Sequence, residues 1–413
     1  MRERVSSAMR HVNWTGGRTL SRVRTLVMMA IALALVAMPA TADAAKRPKK
    51  VPQNFVGVVA DGPVFTNPAV DLDSEMSRMV RNGVQTERIV FNWAGAQPYA
   101  SFTDVPPDQI AQYQDENGVP TDYSEIDREV AAAAKRHIAV LPVVLTAPDW
   151  DARHPGDFAS PPTDPQPYAD FTGALVRRYG PGGTFWVEHP ELDAQPIRCW
   201  QIWNEPNLRP FWSDQPFAAD YVTLLGAART SIKAADPGAR IVLAGLANKS
   251  WTALDKIYQQ GARNLFDIAC FHPFTHEVSG VKTILQKDRK VMAKYRDSKK
   301  SLWVTELSWT SSKGRTNVLF GNEETEAGQA KKLGAAYKML ASARGKLRIG
   351  RVYWYSWLSR DMQDDYPFDW AGLSRITSGG DIRAKPALAA YSKVTLALEH
   401  CKKKSGRADR CAR

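Results

Sequence analysis

Eight times between residues 51 and 398, a short apolar run rich in β-branched and aromatic residues is followed by a stretch whose apolar residues recur every three or four positions. The runs are FVGVVAD (55–61), ERIVFNW (87–93), IAVLPVVL (138–145), RCWQIWNE (198–205), RIVLAGL (240–246), FDIACFH (266–272), LWVTELS (302–308) and GRVYWYSW (350–357). The intervening stretches show helical spacing, as in Ile126/Val130/Ala134 and Phe171/Leu175/Tyr179, and end at breakers such as Asn82-Gly83 and Asp236-Pro237-Gly238. Strands apolar on both faces and joined by crossover helices require a parallel sheet with both faces covered, and eight such units close on themselves. The fold class is therefore α/β, a (β/α)8 TIM barrel over 51–398. An open doubly wound sheet is the competing architecture, but its G-x-G-x-x-G turn is missing after the first run, which reads GVVADGP.

The net charge of +12 suggests a nucleic-acid partner until it is divided along the chain. Residues 1–44 carry six Lys/Arg against two acids, 45–50 (AKRPKK) carry four, and 401–413 carry six against one, so 51–400 sums to −1. A neutral body with basic ends implies no nucleic acid, and at most an electrostatic cell-wall contact through the tails. Residues 1–44 read as a secretory signal: a basic start, an apolar segment and small residues that place cleavage at Ala42 or Ala44. The alternative is an uncleaved anchor, but residues 25–38 form an apolar core of only 14, against the roughly 20 a spanning helix needs. The expectation is a secreted or cell-envelope protein with a basic linker at 45–50, a basic tail at 399–413 and no membrane span after cleavage. In an oxidising compartment Cys401 and Cys411 would close a short disulfide loop, while Cys199 and Cys270, inside strands, read as core residues.

In such barrels chemistry gathers where strands end, because side chains there converge on one open face. Counting along the fourth run, Cys199, Gln201, Trp203 and Glu205 share a side and Glu205 comes last. Along the seventh, Leu302, Val304 and Glu306 do the same. Either glutamate alone reads equally well as a rim ion pair. Two facing each other make the constellation that glycosidic cleavage requires: one carboxyl protonates the leaving oxygen while its partner attacks carbon or directs water. Trp200, Trp203, Trp303 and Trp309 crowd both positions, and flat apolar rings suit sugar faces.

WQIWNEPN, followed a hundred residues or so later by LWVTELSW, resembles the paired signatures of the clan A glycoside hydrolases, retaining (β/α)8 enzymes, and is most similar to family 39 and some family 5 members. The resemblance spans roughly 51–398. It implies that Glu205 is the acid/base and Glu306 the nucleophile, with Asn204 bonding the sugar 2-hydroxyl and an oligosaccharide or polysaccharide as substrate. Arg88, at the opening of the second run, would stand beside the nucleophile and favour its ionised form, so that Glu306 is lowered while Glu205 is raised. His272 would close the sixth strand, but where the clan often has His-x-Tyr this chain has His-Pro-Phe, so Phe274 lacks the expected phenol: either another hydroxyl, of Tyr353 or Tyr355, takes its place or the nucleophile is tuned differently. Trp357, in preference to Trp354, would lie under the reacting sugar unless it packs between barrel and helix. Trp93 and Trp150 would form more distant sugar sites.

No metal or cofactor is expected. The first run has no His-x-His, and His272, His276 and Glu277 are spaced through a proline-containing loop. H-E-x-x-H, Walker and G-x-S-x-G motifs are also lacking. The rival to an enzyme is a catalytically silent glycan-binding barrel of the cell envelope, kept open by Phe274.

Overall fold

A computed structural model describes residues 49–362 and 366–412. The expected signal segment lies outside the described residues. Eight parallel strands form a closed barrel: β1 Val56–Val59, β2 Thr86–Asn92, β3 Ala139–Leu145, β4 Cys199–Ile202, β5 Arg240–Leu246, β6 Ile268–Phe271, β7 Ser301–Val304 and β8 Ile349–Trp354. Each pairs with its neighbour in sequence, and β1 pairs with β8 to close the ring. Eight long helices cover the outside: α1 Leu72–Arg81, α2 Ser124–Ala134, α3 Pro165–Tyr179, α4 Ala218–Ala235, α5 Ser250–Gln259, α6 Val278–Lys294, α7 Glu326–Leu347 and α8 Pro386–Glu399. The fold is the (β/α)8 barrel that the alternation predicts, with each of the eight runs supplying a strand.

Local chemistry sets the helix ends. Asp71 accepts from the Ser74 amide at 2.6 Å to start α1, and Thr325 accepts from Gly328 at 3.0 Å to start α7, each satisfying an otherwise orphaned N–H. After α1 the chain turns at Gly83, where φ is +88° and an added Cβ would fall 2.4 Å from the Thr395 hydroxyl of α8. The turn thus needs glycine for both conformation and closeness.

The core has two parts. Inside the barrel Val59, Leu141, Cys199, Val242, Ile268, Cys270, Trp303 and Tyr353 pack on one another, and a larger cluster fills the layer between strands and helices. Cys199 and Cys270 are buried free thiols of the interior. Each fully buried aliphatic side chain contributes about 1.5–3 kcal/mol of transfer free energy, so this double layer holds the strand ends in place.

Beyond β8 the chain adds a small sheet of Leu358–Ser359, Ser374–Ile376 and Ile382–Ala384. Lys385 is buried beneath it, donating to Trp370 O (2.8 Å), Ser311 Oγ (2.9 Å) and Asp361 (3.2 Å). These bonds fasten the β8–α8 loop to the β7–α7 loop at the mouth of the barrel.

The basic tail does not extend freely into solvent. Cys401 and Cys411 are bonded, Lys404 is buried against Glu399, and the Ala408 amide donates to Arg136 O at 2.8 Å. Part of its charge therefore serves to dock it on the barrel. Among the described residues no helix is long and apolar enough to cross a membrane.

Candidate active site

The chain leaves β4 after Ile202 through two left-handed residues, Trp203 (φ +66°) and Glu205 (φ +41°). This breaks the strand alternation. Trp203 turns outward, its indole N–H donating to Phe211 O at 2.7 Å and its ring packing on Trp212 and Tyr168. Asn204 and Glu205 are left facing the barrel mouth. A similar departure follows β7. Leu302 and Val304 pack outward in the helix layer and Trp303 inward, yet Glu306, which the count placed with Leu302 and Val304, turns in. Counting by twos named both glutamates, but their orientation comes from the irregular residues after the strands.

One oxygen each of Glu205 and Glu306 and a ring nitrogen of His272 lie within 4.8 Å of one another, and all three residues are buried. Arg88, on β2, joins the group like a fork: Nη1 to Glu306 Oε1 at 2.9 Å, Nη2 to Asn204 Oδ1 at 2.7 Å and Nε to Gln201 Oε1 at 2.8 Å. A planar guanidinium suits this arrangement because it presents its donors at fixed angles. The bond to Asn204 Oδ1 turns that residue's NH2 group away from Arg88.

His272 Nδ1 lies 2.6 Å from Glu205 Oε1, and Nε2 lies 3.0 Å from Thr305 Oγ1. The ring reaches this position because residue 245, on the adjoining β5, is glycine: a Cβ there would sit 1.9 Å from Nε2.

Electrostatics separates the roles. Burial lifts Glu205 to about 8, only partly opposed by Arg88, and burial lowers His272 to about 4. Near neutrality both are uncharged, so the network assigns the short bond as Glu205 O–H donating to Nδ1, with Nε2–H donating to Thr305. Glu306 is also raised, by burial first, against the pull of His272 and Arg88. This corrects the expectation that Arg88 would by itself leave Glu306 below the usual range: desolvation outweighs one cation. Glu306 is nonetheless the carboxylate with a guanidinium bonded to it, and hence the one equipped to hold a negative charge.

Other expected site residues lie elsewhere. Trp357 is wholly buried, its indole N–H donating to Glu75 Oε2 of α1 at 2.7 Å beneath the Arg78 guanidinium. It packs between barrel and helix, so no sugar can rest on it. Trp93 is likewise enclosed, donating to Gln97 Oε1 at 2.8 Å and ringed by Trp150, Tyr168 and Phe171. Trp150 is half-buried and donates to Gln97 O at 2.8 Å, supporting Trp93 from the loop after β3. Trp200 and Trp309 are also core residues. Tyr353 is turned into the barrel, its hydroxyl 3.1 Å from Thr86 Oγ1, whereas Tyr355 reaches the mouth.

The aromatic rings at the mouth are mostly ones the sequence reading passed over. Phe274 packs on Phe368 at 4.8 Å, and Phe368 in turn meets Tyr355 (5.6 Å), Tyr366 (5.8 Å) and Phe320 (5.5 Å). The Tyr366 phenol, exposed at the mouth, is pushed up by desolvation and by the charges of Glu205 and Glu306. Asp61, two residues past β1, was also missed; burial lifts it to about 6. The signal for it was available, since it ends the first run just as Glu205 ends the fourth.

Two carboxylates and an imidazole this close are also a possible donor set for a divalent cation. The guanidinium 2.9 Å from Glu306 Oε1 opposes such an ion by charge. His276 and Glu277 pair with each other at 3.3 Å in an exposed loop and do not join the cluster.

No family model matches the chain, and no curated protein matches it. Solved structures do. A glucosidase from Croceicoccus marinus superposes with TM-score 0.59 at 16% identity, covering 85% of this chain and 69% of that one. A family 39 glycoside hydrolase from Bacteroides cellulosilyticus WH2 gives 0.57 at 19%, covering 85% and 66%. A GH5_18 enzyme from Streptomyces cattleya, solved with Manβ1-4GlcNAc, gives 0.58 at 13%, covering 83% and 80%. At these identities the shared property is the barrel fold, and the neighbours include the two families that the Asn-Glu-Pro motif resembles.

Proposed function

We propose that this chain is a secreted glycoside hydrolase that cleaves O-glycosidic bonds of an oligo- or polysaccharide by double displacement, with retention of anomeric configuration. The observation that carries the reading is the buried pair Glu205 and Glu306, whose facing oxygens, one from each carboxyl, lie within 4.8 Å of each other. Carboxyls about 5–5.5 Å apart suit a covalent route, whereas inversion needs about 6.5–9.5 Å to admit a water. In the first step the Glu306 carboxylate bonds to the anomeric carbon as the glycosidic C–O bond breaks, and the Glu205 proton passes to the departing oxygen. In the second, ionised Glu205 takes a proton from water, whose oxygen displaces Glu306 from the same carbon. Arg88 holds Glu306 and Asn204 in one plane of bonds, so Asn204 is set to meet the sugar 2-hydroxyl.

Purified protein assayed on aryl glycosides and a polysaccharide panel is expected to release sugar, Glu306→Gln to abolish that release on every substrate, and Glu205→Gln to suppress it on those whose leaving group needs protonation. Azide restores Glu306→Ala and gives a glycosyl azide of inverted configuration. Retained glycan binding with no cleavage of any substrate would instead make the barrel a silent binding protein. Export is tested by sequencing the N-terminus of the exported chain, expected to begin just after Ala42 or Ala44. Envelope contact through the basic ends is tested by reversing the charge of the exposed Lys402 and Lys403, since Lys404 is structural.

A further inference from the structure

Beside the catalytic pair, between the loops that follow β1 and β8, lies a cavity of about 260 Å³ lined by Asp61, Tyr355, Ser356, Arg360, Phe368 and Asp369, among others. The backbone ties it to the reacting groups. Ala60 N donates to Arg88 O at 3.0 Å, and Tyr355 N donates to the carbonyl of Leu307, next to Glu306, also at 3.0 Å. Tyr355 is thus a wall shared by cavity and nucleophile. β1 and β8 adjoin each other across the barrel from β4. Because Glu205 protonates the leaving oxygen, the leaving group lies on the β4 side and the cavity faces the sugar that stays on the enzyme.

Among the described residues no side chain is hydrogen-bonded to the Asp61 carboxylate, which stands two residues past the end of β1. Ser356 and Ser359 do not answer it: their hydroxyls are engaged with Leu358 O and Asp361 Oδ1. Arg88 is committed to Glu306, Asn204 and Gln201. Arg360 is exposed at the rim, where solvent screens it, while Asp61 and Asp369 are half-buried.

We propose that Asp61 sets the substrate class of this site, accepting hydrogen bonds from the hydroxyls or ammonium group of a neutral or amino sugar and excluding uronates and other anionic sugars from the retained position. The proposal rests on the hydrolase reading and deepens it. The acceptor discriminates in both directions: a hydroxyl or ammonium donor satisfies it, whereas a second carboxylate meets like charge in a partly desolvated space. Its charge also acts on the Glu306 carboxyl and on the Tyr355 phenol, which places all three groups within one field.

The test reads binding of free monosaccharides in Glu205→Gln protein, in which the amide matches the uncharged Glu205 carboxyl near neutral pH. Xylose, glucose, glucosamine and glucuronate are titrated by ligand-observed NMR, with and without Asp61→Asn. The expected result is saturable binding of the first three with glucuronate at least tenfold weaker, and a roughly 10- to 100-fold loss for the neutral and amino sugars in Asp61→Asn, as for one charge-assisted bond. The gap to glucuronate narrows at the same time. An unchanged melting temperature shows that the isosteric variant is folded. Glucuronate binding as tight as glucose, no saturable binding of any of the four, or ratios unmoved by Asp61→Asn would overturn the assignment. Failure of the wild type to hydrolyse any glycoside would overturn the hydrolase reading and leave the binding result standing.

Discussion

Replacing Glu205 by glutamine tests the division of labour between the two carboxyls most directly. With Glu205 at about 8, roughly 99% of the protein carries the acid proton at pH 6, half at pH 8 and about a tenth at pH 9. Because the protonated form is the active one, kcat/KM falls as pH rises through 8, by about tenfold per unit beyond it. Glutamine has no proton to give, so this alkaline limb disappears. For a substrate whose leaving group needs protonation, such as an alkyl glycoside, the loss is about 10²- to 10⁴-fold. For a 2,4-dinitrophenyl glycoside, whose leaving group departs as an anion, the first step is nearly untouched. The shape is preserved because the buried amide can still bond His272 Nδ1 at the position now 2.6 Å away. The assay is a pH series of initial rates with both substrates, alongside thermal melting. Equal losses on both, or an alkaline limb that survives in Glu205→Gln, would refute the assignment of the acid.

Three other perturbations follow from the same geometry. Arg88→Lys keeps the cation but cannot bond Glu306, Asn204 and Gln201 together; losing two charge-assisted bonds is expected to lower kcat/KM by roughly 10²-fold or more, and an unchanged value with melting as control would show that the fork is dispensable. Gly245→Ala drives a methyl group onto His272, and a displacement near 1 Å at the reacting groups is expected to cost about 10²-fold in kcat; full activity would mean that His272 does not position Glu205. The third concerns Glu87, buried outside the site with neither oxygen partnered among the described residues, and lifted to about 8 by burial, as neighbouring Glu129 is to about 9. A folded value above the unfolded 4.5 means that the stability from this proton is whole below about 4.5 and lost as pH rises towards 8, so Glu87→Gln is expected to melt progressively higher than the wild type between pH 5 and 8.5. Parallel melting curves across that range would contradict it.

The eightfold alternation was enough to define the barrel, because burial on both faces leaves a strand few other arrangements. Strand-end position pointed to Glu205 and Glu306 for a related reason: in a closed parallel barrel every strand delivers its last residues to one face, whereas Arg88, near the start of β2, and His272 came from the family resemblance. Asp61 obeys that rule as well, but a single acid at a strand end carries no pairing signal in the sequence. The aromatic residues were the weak part of the reading. Trp93, Trp200, Trp309 and Trp357 are as apolar as rings that bind sugar, and only packing against Gln97, Phe91, His276 and Glu75 shows that they are walls of the core.

The sequence alone determined which residues end up at the open end of the barrel, since strand order and length follow from periodicity and chain connectivity. Tertiary structure decided which way they turn and what charge they carry. Left-handed backbone at Trp203 and Glu205 reverses the alternation, and the depth of burial, a property of the assembled shell, lifts both glutamates by desolvation that no count along the chain contains.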